Sequence, residues 1–327
     1  MIVSWGMVAL GLVILLLAGD LLVKGAVNLA LRLGIPALIV SLTIVAFGTS
    51  APELLISIDA VLDRQSGLAV GNVVGSNIAN VLLVLGVPAL ISTLDTRDCD
   101  TRKSFAYMIA GSFLFIGLAY TAPLVWWHGL ILLGALSFIL LDQAREARAH
   151  RKSAQAAGAA AAAAADDDEE EEVEGADPEL PKWRIGLYLV LGIIGLPLGA
   201  DLLVDGATHI AKKFGVSDAA IGLTLVAIGT SLPELATTVV AAIRKQADVA
   251  LGNVIGSNMF NLLAIMGVTA LVAPIEVAGA FFHLDFWIMI AASLILIPFV
   301  FFRQMLGRIW GAIFVVLYGV YLVSVLA

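Results

Sequence analysis

The sequence predicts an all-α integral membrane protein, with ten transmembrane helices in two inverted five-helix repeats. Three observations predict this. The 327 residues are 61% hydrophobic and only 13% charged, and the mean hydropathy of +1.01 lies beyond the range of soluble domains. Two blocks of sequence recur at one fixed offset. Lysine and arginine gather in alternate loops.

A membrane-crossing helix needs roughly 20 mostly apolar residues, whereas barrel strands are about 10 residues of alternating character. Ten stretches meet the helical requirement: 4–32, 36–62, 68–92, 104–121, 124–143, 183–211, 217–243, 250–273, 281–302 and 308–326. The first outruns a cleavable signal and lacks a basic start, so it is expected to be retained as a span. The tryptophans Trp5, Trp126, Trp127, Trp183 and Trp310 sit near span ends, as in an interfacial aromatic belt. The histidines His128, His150, His209 and His283 also fall at span ends or in the linker and read as interfacial.

The blocks that recur are LTIVAFGTSAPE at 42–53 with LTLVAIGTSLPE at 223–234, and GNVVGSNIANVL at 71–82 with GNVIGSNMFNLL at 252–263. Both are 181 residues apart, and the same offset carries Asp20 in GDLLVKGA onto Asp201 in ADLLVDGA. The register therefore holds through the first three spans of each half. Residues 1–143 form the first repeat, 144–182 a cytoplasmic low-complexity acidic linker, and 183–327 the second repeat. Five spans is an odd number, so the second copy enters the membrane from the opposite side. Inverted repeats are the architecture of many secondary transporters, whose substrates bind near the midplane on broken helices.

Basic residues give the orientation. With the N-terminus outside, fourteen Lys and Arg fall in inside loops, and only Arg64, Lys212 and Lys213 fall outside. Both termini are then expected outside the plasma (inner) membrane, and the middle loop in the cytoplasm. Ten of the 26 acids crowd into 166–179, so the net charge of −8 describes the linker and not a partner. The alanine and acid tract at 155–181 reads as a disordered tether. An EF-hand starting at Asp166 would need glycine at its sixth position, where Glu171 stands. The single cysteine, Cys99, excludes an internal disulfide and a thiolate metal site.

The chemistry gathers in the repeated blocks. In GTSAPE, Gly48 loosens the helix and Pro52 removes an amide donor, so carbonyls around Ala46 to Thr49 are expected to be freed. In hydrocarbon, such carbonyls must face protein, water or a cation. Thr49, Ser50 and Glu53 add oxygens within about a turn, and the second copy supplies Ala227, Thr230, Ser231 and Glu234. Asn72, Ser76 and Asn80, with Asn253, Ser257 and Asn261, recur every four residues and put a polar stripe on one face of each span. An all-oxygen set suits hard cations such as Na⁺ and Ca²⁺ and argues against zinc or copper. Two ionised glutamates carry −2, which one Ca²⁺ or two Na⁺ balance. Ions sharing these carboxylates would displace one another, and a site open alternately to each side would then exchange them.

Plainer readings apply to some of these residues. Asn72, Asn77, Asn253 and Asn258 could equally serve interhelical hydrogen bonds. Asp20 and Lys24 are spaced for an i, i+4 pair. Glu53 and Glu234 have no basic partner at depth in their own or the neighbouring motif spans, and an intramembrane carboxylate points to function.

On these motifs the chain resembles the calcium/cation antiporter superfamily, in its sodium/calcium exchanger branch. The resemblance covers all ten stretches. It implies that Glu53 and Glu234 bind both ions, and that Thr49 and Thr230 bind calcium through their carbonyls. It implies that Ala46, Ser50, Ser76, Ala227, Ser231 and Ser257 surround flanking sodium sites, and that Asn80 and Asn261 lie at the central site. Asn261 stands where some archaeal members and the potassium-dependent exchangers carry aspartate, which disfavours potassium co-transport. The glutamate of the proton-coupled GNxxE motif is missing after Asn72, which favours sodium. The spans holding Asp20 and Asp201 resemble the long tilted pair that slides across the core.

The expectation is therefore a secondary antiporter exchanging Ca²⁺ for Na⁺ by alternating access. Its partners would be small inorganic cations and the lipid bilayer, with no cofactor, nucleic acid or evident protein partner. The rivals are a Ca²⁺/H⁺ exchanger and a cation channel. A membrane-embedded hydrolase lacks a serine–histidine or metal–histidine set in the repeat.

Overall fold

The computed structural model describes residues 2–97, 99–163, 177, 180–214 and 227–326. Among these the chain is helical, with two isolated β-bridges. The first half runs α1 (Ile2–Leu33), α2 (Ala37–Thr49) and α3 (Ala51–Leu62), α4 (Ser66–Ile91), α5 (Arg102–Ala119) and α6 (Trp126–Ala163). The second half runs α7 (Lys182–Lys213), α8 (Ala227–Thr230), α9 (Leu232–Ile243), α10 (Ala247–Val272), α11 (Gly279–His283), α12 (Asp285–Phe301) and α13 (Arg308–Leu326).

Among the described residues, six helices, α1, α4, α6, α7, α10 and α13, are long and apolar enough to cross a membrane, and the bent pair α2–α3 makes a seventh. The remaining expected stretches are also helical where described. Stretch 104–121 lies on α5, whose first turn holds Arg102 and Lys103 and is therefore less apolar. Stretch 281–302 is divided at Leu284, whose φ of −136° and ψ of −59° leave the helical region. Stretch 217–243 is described only from Ala227 onward.

Where a tether was expected from residue 155, α6 continues as one helix to Ala163. Alanine has the highest intrinsic helix propensity, so a tract of it extends a helix already nucleated in the membrane. The acidic run that follows lies outside the described residues, apart from Asp177.

Burial separates the helices into two groups. The apolar windows of α4 and α10 are 72% and 83% buried, against 22% for α7 and 17% for α13. The polar-striped helices are thus the core, and the uninterrupted apolar helices are the rim. Leu10, Val13 and Leu17 on α1 and Val190, Ile194 and Leu198 on α7 are exposed, an outward apolar face that suits lipid.

The rim helices α1 and α7 pack closely through glycines. A Cβ added at Gly11 would lie 2.7 Å from the Gly199 carbonyl oxygen, and one at Gly192 would lie 2.6 Å from Leu22 Cβ. Position 11 meets 199 while position 22 meets 192, so the two helices run antiparallel. They are equivalent in the two sequence copies. The β-bridges follow the same reciprocity: Leu94 pairs with Leu306 and Leu124 with Ile275. Ile275 is the 181-residue mate of Leu94, and Leu306 is one residue from the mate of Leu124.

Candidate cation site

The two GTS-x-PE segments break their helices in the same way. Ser50 has φ −84° and ψ 4°, and Ser231 has φ −87° and ψ 4°. Each is followed by a new helix with proline in its first two positions, where a missing amide donor costs nothing. Around the first break the helix axis turns by 43°. Glu53 and Glu234 then fall in the first turn of α3 and α9, where unpaired amides favour negative charge.

Both turns are held by asparagines of the core helices. Asn72 Nδ2 donates to the Glu53 carbonyl at 3.2 Å and to Ser57 Oγ at 3.1 Å. In the second copy, Asn253 Nδ2 donates to the Glu234 carbonyl at 3.3 Å and to Thr238 Oγ1 at 3.1 Å. Ser57 and Thr238 are repeat mates that sequence reasoning passed over. Carrying the 181-residue offset through every hydroxyl would have found them.

Other contacts cross between the copies. Ser50 Oγ donates to Glu234 Oε1 at 3.3 Å, and Thr49 Oγ1 donates to Asn253 Oδ1 at 3.3 Å. Thr49 Oγ1 also lies 3.5 Å from Ser257 Oγ. Asn80 Nδ2 donates to Asn258 Oδ1 at 3.0 Å, and Asn261 Nδ2 donates to Asn77 Oδ1 at 3.1 Å. Ser76 is buried on α4 and faces the same cavity as Thr230. Ala227 opens α8. The Ala46 carbonyl, expected to be freed by the break, accepts the Ser50 amide at 3.1 Å and the Thr49 hydroxyl at 3.3 Å. The helix closes one last turn before Ser50 ends it.

Five buried side-chain oxygens on these residues have no hydrogen-bond partner: Glu53 Oε2, Glu234 Oε2, Asn80 Oδ1, Asn261 Oδ1 and Ser231 Oγ. They come from both copies. Buried polar atoms are almost always satisfied, so unpaired oxygens on the residues of both repeated motifs call for a partner that the neighbouring side chains do not supply. Glu53 is 1% exposed and Glu234 0%. Among the described residues, no lysine or arginine pairs with either. Nor do any three His, Cys, Asp or Glu side chains come together there. The donors are two carboxylates and neutral oxygens, the chemistry of hard cations.

Two peripheral residues make contacts beyond those expected. Asp20 makes the expected pair with Lys24 at 3.0 Å, and it also receives Arg244 Nε at 2.7 Å from the end of α9. No local spacing signals a partner 224 residues away. His128, expected at the interface, is buried: its Nδ1 accepts the Val125 amide at 3.0 Å, and its Nε2 lies 2.8 Å from Thr121 Oγ1.

A helical, lipid-facing shell around a buried, two-carboxylate oxygen site defines a membrane protein built to handle small cations. The family model described as sodium/calcium exchanger protein matches residues 3–143 and again 185–327, and the chain belongs to that family. It is 37% identical over 297 residues to the putative antiporter CaxA of Alkalimonas amylolytica, covering 91% of this chain and 89% of that protein. It is 35% identical to the sodium/calcium exchanger MaX1 of Methanosarcina acetivorans, covering 98% of each. Its fold resembles that of the sodium-calcium exchanger NCX_Mj soaked with zero Na⁺ and Ca²⁺, with a TM-score of 0.76, 31% identity and 99% of each chain covered. The chain is thus a multi-pass membrane protein of a cation-antiporter family, a family of transporters and not of enzymes.

Proposed function

We propose that this protein exchanges Ca²⁺ for Na⁺ across the plasma membrane by alternating access, through one site shared by both repeats near the membrane midplane. The observation that carries the reading is the set of five unpaired buried oxygens, contributed by both copies and including both glutamates. Two carboxylates without a basic partner need about two positive charges, which one Ca²⁺ or two Na⁺ supply. Competition for the same oxygens then couples the two fluxes. Glu53 and Glu234 serve both ions. Thr49 and Thr230 add carbonyls for Ca²⁺, and Ala46, Ser50, Ser76, Ala227, Ser231 and Ser257 serve the flanking Na⁺ positions. Asn80 and Asn261 complete the centre.

The transporter is ten spans in two inverted repeats, 1–143 and 183–327, joined by the cytoplasmic linker 144–182 with both termini outside. The antiparallel course of α1 and α7, the reciprocal bridges and the double match of one family model support this arrangement. Inverted repeats are related by a pseudo-two-fold axis in the membrane plane, so alternating access follows from exchanging the conformations of the two copies.

The test is Ca²⁺ uptake into proteoliposomes loaded with Na⁺, compared with vesicles carrying a proton or potassium gradient. Uptake driven by the outward Na⁺ gradient is expected. Uptake driven by the pH gradient with no need for Na⁺ would replace this reading with Ca²⁺/H⁺ exchange, and Ca²⁺ flux without any countermovement would replace it with a channel.

A further inference from the structure

We infer that Asn77 and Asn258 are positioning residues: each fixes which end of a carboxamide in the opposite repeat meets the cation. The inference rests on the cation-site reading above.

The argument starts from two backbone carbonyls. Asn77 Nδ2 lies 3.4 Å from the Asn258 carbonyl oxygen, and Asn258 Nδ2 lies 3.3 Å from the Asn77 carbonyl oxygen. A carbonyl only accepts, so the NH₂ end of each of these side chains must face it. Their Oδ1 atoms are therefore turned the other way. There, Asn77 Oδ1 meets Asn261 at 3.1 Å and Asn258 Oδ1 meets Asn80 at 3.0 Å. An oxygen needs a donor opposite it, so Asn261 and Asn80 must present Nδ2. That leaves Asn80 Oδ1 and Asn261 Oδ1 as the buried, unpartnered ends, the ones open to a cation. The two ends of a carboxamide are told apart only by what they meet, and here the whole assignment follows from the backbone.

The chemical consequence is large. Had the amides been free to flip, NH₂ groups would point at the cation and weaken its binding. The pairing also crosses the repeats, Asn77 acting on Asn261 and Asn258 on Asn80. Each carboxamide is therefore aimed only while α4 and α10 are docked. Position 261 is tied to position 77 as well, because an aspartate there would set an oxygen against Asn77 Oδ1.

The experiment measures the Ca²⁺ and Na⁺ concentrations that half-saturate exchange in proteoliposomes. It also measures those that half-maximally raise the melting temperature of the purified protein, for wild type, Asn77→Ala, Asn261→Ala and the double variant. Asn77→Ala is expected to raise both ion requirements by about fivefold, the scale of one net hydrogen bond between neutral groups. In the Asn261→Ala background it is expected to add nothing further, since its effect passes through that side chain. Asn258→Ala is expected to behave likewise with Asn80→Ala. Should Asn77→Ala not fold, Asn77→Ser carries the same expectation, because its hydroxyl bonds its own helix and is too short to hold Asn261. Unchanged ion requirements in Asn77→Ala, or an equal additional loss in the Asn261→Ala background, would overturn the inference while leaving Na⁺/Ca²⁺ exchange intact. A wild type that neither exchanges the ions nor is stabilised by them would overturn the site reading, and the inference with it.

Discussion

Glu53 and Glu234 are buried, and among the described residues no lysine or arginine pairs with either. An unpaired carboxylate at membrane depth costs several kcal/mol, and in the proposed exchanger a cation accompanying both residues offsets that cost. Replacing either with glutamine keeps the volume and removes the charge. Glu53→Gln and Glu234→Gln are each expected to reduce Ca²⁺ uptake to background while the protein still reaches the membrane at normal levels. Sodium-driven uptake surviving in both variants would remove the two glutamates from the site. At this scale the repeated motif made the two acids stand out in the sequence, and the structure buries both. Asn77 and Asn258 were less legible, since an asparagine in a membrane helix reads equally well as packing. Only the direction of their hydrogen bonds distinguishes the roles.

Helix breaks and close helix contacts shape the site at the next scale. Gly48 and Pro52 announced the first break, and the matching backbone angles of Ser50 and Ser231 show the motif acting as a unit. Both α2, at Ser41–Val45, and α10, at Phe260–Ile265, contain a π-helical turn, a wide turn often found at functional sites. Neither was foreseen, because nothing in the residue pattern separates a five-residue hydrogen-bond register from a four-residue one. The π turn of α2 packs against glycines of α10. A Cβ on Gly256 would lie 2.6 Å from Ala46 Cβ and 2.7 Å from the Leu42 carbonyl oxygen, and one on Gly252 would lie 2.8 Å from Ser41 Cβ. Ser41 Oγ also donates to the Val249 carbonyl at 2.7 Å. Gly256→Ala must push α10 away from α2, at a cost of about 1–3 kcal/mol by the measure of overpacked cores. A lowered melting temperature in detergent is the expected result, together with weaker Na⁺ binding because Ala46 moves with α2. An unchanged melting temperature would mean that the two helices separate more easily than this contact implies.

Topology is the property of the whole molecule. Under the proposed topology, with the C-terminus outside, alkaline phosphatase fused to that end is expected to be active and a green fluorescent fusion there dark. The same reporters inserted in 144–182 should give the opposite pattern, and matching signals at both places would contradict the inverted arrangement. The duplication, the helical class, the two glutamates and the polar stripes were determined by sequence alone, since each is written in residue identity and in periods of about four or of 181 residues. The tertiary structure decided the rest: Arg244 reaching Asp20, α1 lying antiparallel to α7, and Asn77 aiming Asn261. These are contacts between residues 170 to 224 positions apart, and their geometry depends on how two finished helices dock. Docking is set by small-residue contacts and by which polar atoms would otherwise be left unpaired, and no local pattern in the chain records either.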